Sequence, residues 1–259
     1  MSLIISVSKT SHQEKQIKKR YKMKLLALKH NIGLLTICFF ACITSGCEKD
    51  FMIVDKEPFI DHEGNEYPTA RLCDGKIWML KNLSISTFRS GDPIPYVFQN
   101  DWEDPLNHSH NPAYCVYADS FGYKLEYGLL YNWYAVSDPR GLAPSGWHIP
   151  TLAEWQRLID CNGGNEVAGD RLKETGTAHW KSGTGNNMSG FNALPGSRRL
   201  PIPEDEGLGE VAVFWTVTPN EECFDFRTPY YATHDAGPDA YSNCGNNAFG
   251  FSVRCIKDE

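Results

Sequence analysis

The sequence contains no Cys-x-x-Cys, no nucleophile-elbow Gly-x-Ser-x-Gly, no P-loop and no His-Glu-x-x-His. These gaps remove the commonest local signatures of a zinc ribbon, a thioredoxin-type redox centre, a serine hydrolase, a nucleotide-binding site and a zinc protease. After position 46 no apolar run approaches the roughly 20 residues needed to cross a bilayer as a helix. Basic residues are scarce there too. Eight of the 25 Lys/Arg and one of the 32 Asp/Glu fall in residues 1–46, so residues 47–259 hold 17 basic and 31 acidic side chains, a formal net charge of −14. Phosphate backbones are bound by clustered Lys and Arg, so a nucleic-acid partner is not expected, nor is direct adsorption to anionic headgroups. Internal repeats and Pro/Ser/Gly linkers are missing as well. Residues 60–259 are therefore read as one domain.

The N-terminus has what the remainder lacks. A basic stretch leads into the apolar run Ile32–Ile43, too short for a comfortable span and suited to the core of a signal peptide. Thr44-Ser45-Gly46-Cys47 follows, which resembles a lipobox, with small residues before the cysteine that takes the lipid. Thr44 replaces the usual aliphatic residue, and Ile43 lies one place further out. Residues 1–46 are read as a signal peptide whose true start is Met23, with Cys47 as the palmitate-bearing residue. Residues 47–59 are read as a lipidated tether. The expected location is the outer membrane or cell surface, with the membrane reached through the lipid.

Along the domain, Gly64-Asn65 and Asp74-Gly75 mark turns, the second between Thr69–Leu72 and Lys76–Leu80 as a tight hairpin. Leu129, Leu130, Trp133 and Tyr134 are spaced to form one face of a helix over residues 128–136. Thr151 and Glu154 form a capping box ahead of the stripe Leu152, Trp155, Leu158 and Ile159, which Gly163-Gly164 ends. A third short helix is expected over residues 167–174. Val211–Thr218 and Phe249–Ile256 read as strands, the second with one buried face through Phe251, Val253 and Cys255. The class is α+β, a small antiparallel sheet with two or three helices and long loops.

Several runs along this stretch resemble the Fibrobacter succinogenes major paralogous domain family of surface lipoproteins. They are Gly64-Asn65-Glu66-Tyr67, Trp78-Met79-Leu80-Lys81-Asn82-Leu83, the run from Tyr127 to Val136, and the run from Pro144 to Thr151. Ala153-Glu154-Trp155, Leu172 to Gly176, Gly190 to Gly196 and Gly250 to Cys255 follow in the same order. The resemblance implies a C-type lectin-like fold, a small curled sheet related to that of formylglycine-generating enzymes, and no general activity. Two positions depart from the family pattern. Ala143 stands where a cysteine usually precedes Pro-Ser-Gly-Trp-His, so Cys255 must pair elsewhere or stay free. Phe214-Trp215-Thr216-Val217-Thr218 keeps one tryptophan of a usual pair.

Beyond Cys47, six cysteines remain, an even count that suits disulfides in an exported protein and leaves every pairing open. The lectin-like fold implies a bridge at the base of its long loop, for which Cys223 and Cys244 are placed. Cys73 with Cys115 is a second expectation, leaving Cys161 and Cys255 to pair or remain free.

The run from Asp101 to His110 gathers carboxylates and imidazoles but is read as a solvated loop rather than a metal site. His148 has no evident catalytic partner and is read as a structural, hydrogen-bonded histidine. Thr218-Pro219-Asn220 lacks the acid and the Trp-Asn-Asp of a calcium-dependent sugar site. No cofactor is expected. Trp78, Trp133, Trp147 and Trp155 are assigned to the core, while Trp102 and Trp180 are left free to bind. From Pro195 to Cys244 the chain is expected to lie as loops over the sheet, with Arg227, Tyr230 and Tyr231 as ligand-binding candidates. The functional expectation is a non-enzymatic module for a glycan or a surface protein. An enzyme on a formylglycine-enzyme-like scaffold and a structural subunit of a surface assembly are the alternatives.

Overall fold

The computed structural model describes residues 53–54, 58–98, 102, 111–117, 120–200, 207–218, 227–234 and 240–259, the backbone alone at 53–54, 227–232, 234 and 241–242. β1 (Ile53–Val54) opens the domain, so part of the stretch read as tether is drawn into a sheet. β2 (Phe59–Ile60) and β3 (Glu66–Tyr67) follow as a hairpin. Its turn is organised by Asp61, whose carboxylate accepts from the backbone of Glu63 and Asn65, from the Asn65 side chain and, at 2.8 Å, from the Tyr67 hydroxyl. β4 (Thr69–Arg71) and β5 (Ile77–Met79) form the hairpin expected around Asp74-Gly75. Gly75 has φ +80°, which a side chain would strain.

β6 (Tyr114–Cys115) precedes a 3-10 turn, Phe121–Tyr123, that runs directly into α1 (Lys124–Tyr127). β7 (Leu130–Tyr131) then pairs with β6, and α2 (Trp133–Val136) is a single turn. The helix expected over 128–136 is therefore a strand and a short helix. Gly128 at φ +77° breaks the backbone, and the Asn132 side chain restarts it by accepting from Ala135 N–H at 3.0 Å. β8 (Trp147–His148) leads to α3 (Leu152–Cys161), where the Thr151–Glu154 capping box is present in both directions. Trp155, Leu158 and Ile159 are its buried face. α4 (Ala168–Leu172) is the expected third helix, one residue shorter at its start and two at its end.

β9 (Val211–Trp215), β10 (Arg227–His234) and β11 (Ala240–Asn246) form a three-stranded antiparallel sheet. This corrects the loop expectation for the stretch up to Cys244. Its composition gives it no core of its own, but β9 supplies a fully buried edge for it to pair with. Thr228, Tyr230, Tyr231 and Thr233 are good strand formers once that partner exists.

The last strand, β12 (Ile256–Lys257), lies between β5 and β8 in a five-stranded sheet of order β1-β4-β5-β12-β8, all pairs antiparallel. The strand expected from Phe249 is otherwise single bridges: Gly250 to Arg199, Phe251 to Tyr131 and Ser252 to Phe214. Both of its faces are buried, not one. Phe251, Val253 and Cys255 enter one core cluster with Tyr67, Met79, Trp147 and Trp215. Ile256 enters the other, with Trp78, Trp155, Phe191 and Phe214. The segment thus runs between the two halves of the core. The fold class is α+β, and no described helix is long and apolar enough to cross a membrane.

Candidate functional site

One expected disulfide pairing is corrected. Cys73 pairs with Cys161, not Cys115, across a Cα separation of 5.9 Å. The bridge ties the turn of the β4–β5 hairpin to the last residue of α3. Cys115 is buried and unbridged, excluded from Cys73 because it faces the small cluster of Trp102, Ala113 and Leu130. Cys255 is likewise unbridged, with Ala143 in the same core cluster, and burial pushes its thiol up. Cys244 is disulfide-bonded, while Cys223 lies outside the described residues. Cys47 and the run from Asp101 to His110, except Trp102, lie outside them too.

Trp102 and Trp180 are not surface aromatics. They are 4% and 1% exposed, and Trp180 donates its indole N–H to the Ala193 carbonyl at 3.0 Å. Trp133, assigned to the core, is partly buried against it. Arg227, Tyr230 and Tyr231 lie on β10, each paired across to β11, and the two tyrosines also to β9. They sit in mid-sheet, not in a loop, and their side chains fall outside the described atoms.

His148 does have carboxylate neighbours that its sequence position did not reveal. Nδ1 is 2.7 Å from Asp258 and Nε2 is 3.1 Å from Glu154. The other Glu154 oxygen is held by the Thr151 amide and hydroxyl. Both ring nitrogens therefore join Asp258 to the start of α3. Among the described residues no group of three or more His, Cys, Asp or Glu is arranged to hold a metal ion.

Exposed aromatics gather elsewhere. Tyr96 bridges to Tyr114 beside β6 and carries Phe98 two residues on. Phe121 begins the turn before α1. Phe98 and Phe121 are 57% and 56% exposed, and Leu125 is 86% exposed. Tyr96 lies between the two phenylalanines, 4.8 Å from Phe98 edge-on and 5.2 Å from Phe121 at a 35° tilt. It also touches Tyr114 at 5.5 Å, which anchors the group to the core.

Spacing of four places Phe121 and Leu125 on one helical face. Tyr123 and Tyr127, offset by two, continue toward the body and pack together at 6.0 Å. Tyr123 also meets Tyr117 edge-on at 5.4 Å. Burial first, then Glu126, pushes the Tyr127 phenol up to about 12, so it remains a neutral donor across the physiological range.

Single exposed apolar residues are ordinary, but contiguous ones on a scaffold mark contact surfaces. The rings of Tyr96, Phe98 and Phe121 offer flat apolar faces with a tyrosine hydroxyl beside them. Sequence reasoning passed over Tyr96, Phe98 and Phe121 because it weighted tryptophans and the later loops. The available signal was the pair of short aromatic runs, Tyr96-Val97-Phe98 and Phe121-Gly122-Tyr123, outside every apolar stripe.

A family model, the Fibrobacter succinogenes major domain, matches residues 73–257, and the chain belongs to that family. No curated protein and no solved structure matches it.

Proposed function

We propose that this chain is a non-enzymatic carbohydrate-binding module, held at the outer-membrane surface by lipid on Cys47, that receives sugar faces on Tyr96, Phe98 and Phe121. The carrying observation is the exposure of two phenylalanines around a tyrosine that is itself fixed to the core. Aromatic faces stack on the C–H faces of sugars, and adjacent hydroxyls and carboxylates satisfy the sugar's own hydroxyls. A surface with net charge −14 over residues 47–259 favours a neutral glycan over an anionic one. A C-type lectin-like scaffold is part of this proposal, with recognition placed on the face around residues 96–125 and not on the later hairpin.

A glycan-array screen of the purified protein tests the reading. Phe98→Ala with Phe121→Ala should weaken any glycan found by about tenfold or more, roughly 1.5 kcal/mol, with the thermal midpoint unchanged. A glycan whose binding ignores both substitutions would place the site elsewhere.

A further inference from the structure

His179 stands between two carboxylates. Its Nδ1 is 2.6 Å from Glu174 and its Nε2 is 2.6 Å from Glu126. A carboxylate can only accept, and a neutral imidazole has one N–H to give. Both contacts are satisfied together only by imidazolium. Glu174 follows α4, whereas Glu126 belongs to α1, the helix entered through Phe121. The bridge therefore joins the aromatic patch to the body of the domain through one proton.

The segment 121–127 depends on such ties. Seven residues are too few to hold a helix unaided. Its C-terminal end is fixed: Tyr127 is buried, and its carbonyl accepts from Asn82 Nδ2 at 2.8 Å. Ahead of Tyr127, Glu126 is held by His179, Tyr123 rests on Tyr117, and Phe121 at the start rests on Tyr96.

We propose that Glu126–His179–Glu174 is a pH-operated latch, which holds the 121–127 segment and its Phe121 in place while His179 is protonated and frees it when the proton leaves. Among the described residues, the groups facing His179 are Glu126 on α1, Glu174 after α4, and the Tyr127 ring, edge-on at 5.7 Å. Lys181, two residues on, is engaged by Glu210. Burial pulls the imidazole's proton affinity down, but the hydrogen bonds to Glu126 and Glu174 outweigh it, and the net direction is up from 6.5. A raised histidine stabilises the fold fully below its ordinary value, and that contribution fades as pH rises through the raised one. The partner released is Glu126, whose side chain is 46% exposed against 18% for Glu174.

The latch stands on this geometry alone. Its consequence, glycan affinity that falls as pH rises, rests on the reading of the patch as a sugar surface. Amide hydrogen exchange of the full chain tests the latch without any ligand. With intrinsic rates corrected, protection over residues 121–127 should fall about two- to fivefold between about pH 6 and about pH 9, the size of an exposed ion pair. In Glu126→Gln the amide can donate to a neutral imidazole, so protection should persist at the higher pH. His179→Gln should give low protection at both. Equal protection in the wild type at the two pH values, or the same decline in Glu126→Gln, overturns the latch. A failed glycan screen overturns the proposed function and leaves the exchange result standing.

Discussion

Arg254 is a cation with no carboxylate among its hydrogen-bond partners in the described residues. Its Nε donates to Asn82 Oδ1 at 2.6 Å, and its other nitrogens reach the carbonyls of Met79, Phe191 and Asn192 at 2.9 to 3.2 Å. The guanidinium lies 4.4 Å over the Phe191 ring. Burial draws its proton affinity down to about 9, still high enough to keep the charge at neutral pH. The planar fork serves three carbonyls on two backbone segments at once, which an ammonium cannot match in geometry. Asn82 extends the node by donating to Tyr127 and Ser252. Arg254→Met would leave Asn82 and three carbonyls without their donor, a loss on the order of 3–5 kcal/mol. Urea denaturation should show a large drop in midpoint, and Arg254→Lys should recover only part of it. A midpoint within error of the wild type would mean that the node contributes nothing net.

At the scale of elements, α3 shows what a sequence makes plain. Its cap, its apolar stripe and the glycines past its end are local instructions that the fold obeys, and so is the Asp74-Gly75 turn. Thr151→Ala should cost about 1 kcal/mol in thermal or urea unfolding. Glu154 adds a pH dependence. Burial raises its carboxyl, but the Thr151 amide and hydroxyl and His148 together hold it below 4.5. A depressed carboxylate stabilises above its unfolded value, and that contribution is lost as pH falls through the folded one. The thermal midpoint of Glu154→Gln should therefore fall less steeply than that of the wild type below about pH 4.5.

Elements whose partners are remote in sequence were harder to read. Residues 128–136 carry a helical spacing, yet Leu130 and Tyr131 are claimed by β6 and by Phe251. The hairpin of β10 and β11 looks loop-like until β9 is beside it. Cys73 and Cys161 are 88 residues apart, and no local pattern announces their meeting. Closing a loop of that length is worth on the order of 4–5 kcal/mol in the chain-entropy model. The aromatic patch was illegible for the opposite reason. An exposed ring and a buried one look alike in sequence, and nothing local distinguishes the exposed Phe98 from the buried Trp180.

Across the whole molecule, the chain's end completes what its beginning starts. Ile256, wholly buried, pairs with Trp78 on one side and His148 on the other, and Glu259 reaches Lys76. The start of the domain is equally committed, because Ile53 and Val54 pair with Arg71 and Ala70. Only residues 48–52 then separate the proposed lipid on Cys47 from Ile53, at most about 22 Å of extended chain. The net −14 of residues 47–259 gives the domain no electrostatic attraction of its own to anionic headgroups. Attachment would rest on the lipid alone. Wild-type protein should therefore partition into detergent and incorporate labelled palmitate, and Cys47→Ser should abolish both. Position 47 precedes the first described strand, so the soluble product of Cys47→Ser should keep the wild-type thermal midpoint and glycan binding. An ordinary cleaved signal peptide predicts no labelling in either protein. Labelling that survives Cys47→Ser would move the lipid to another cysteine and sink the assignment.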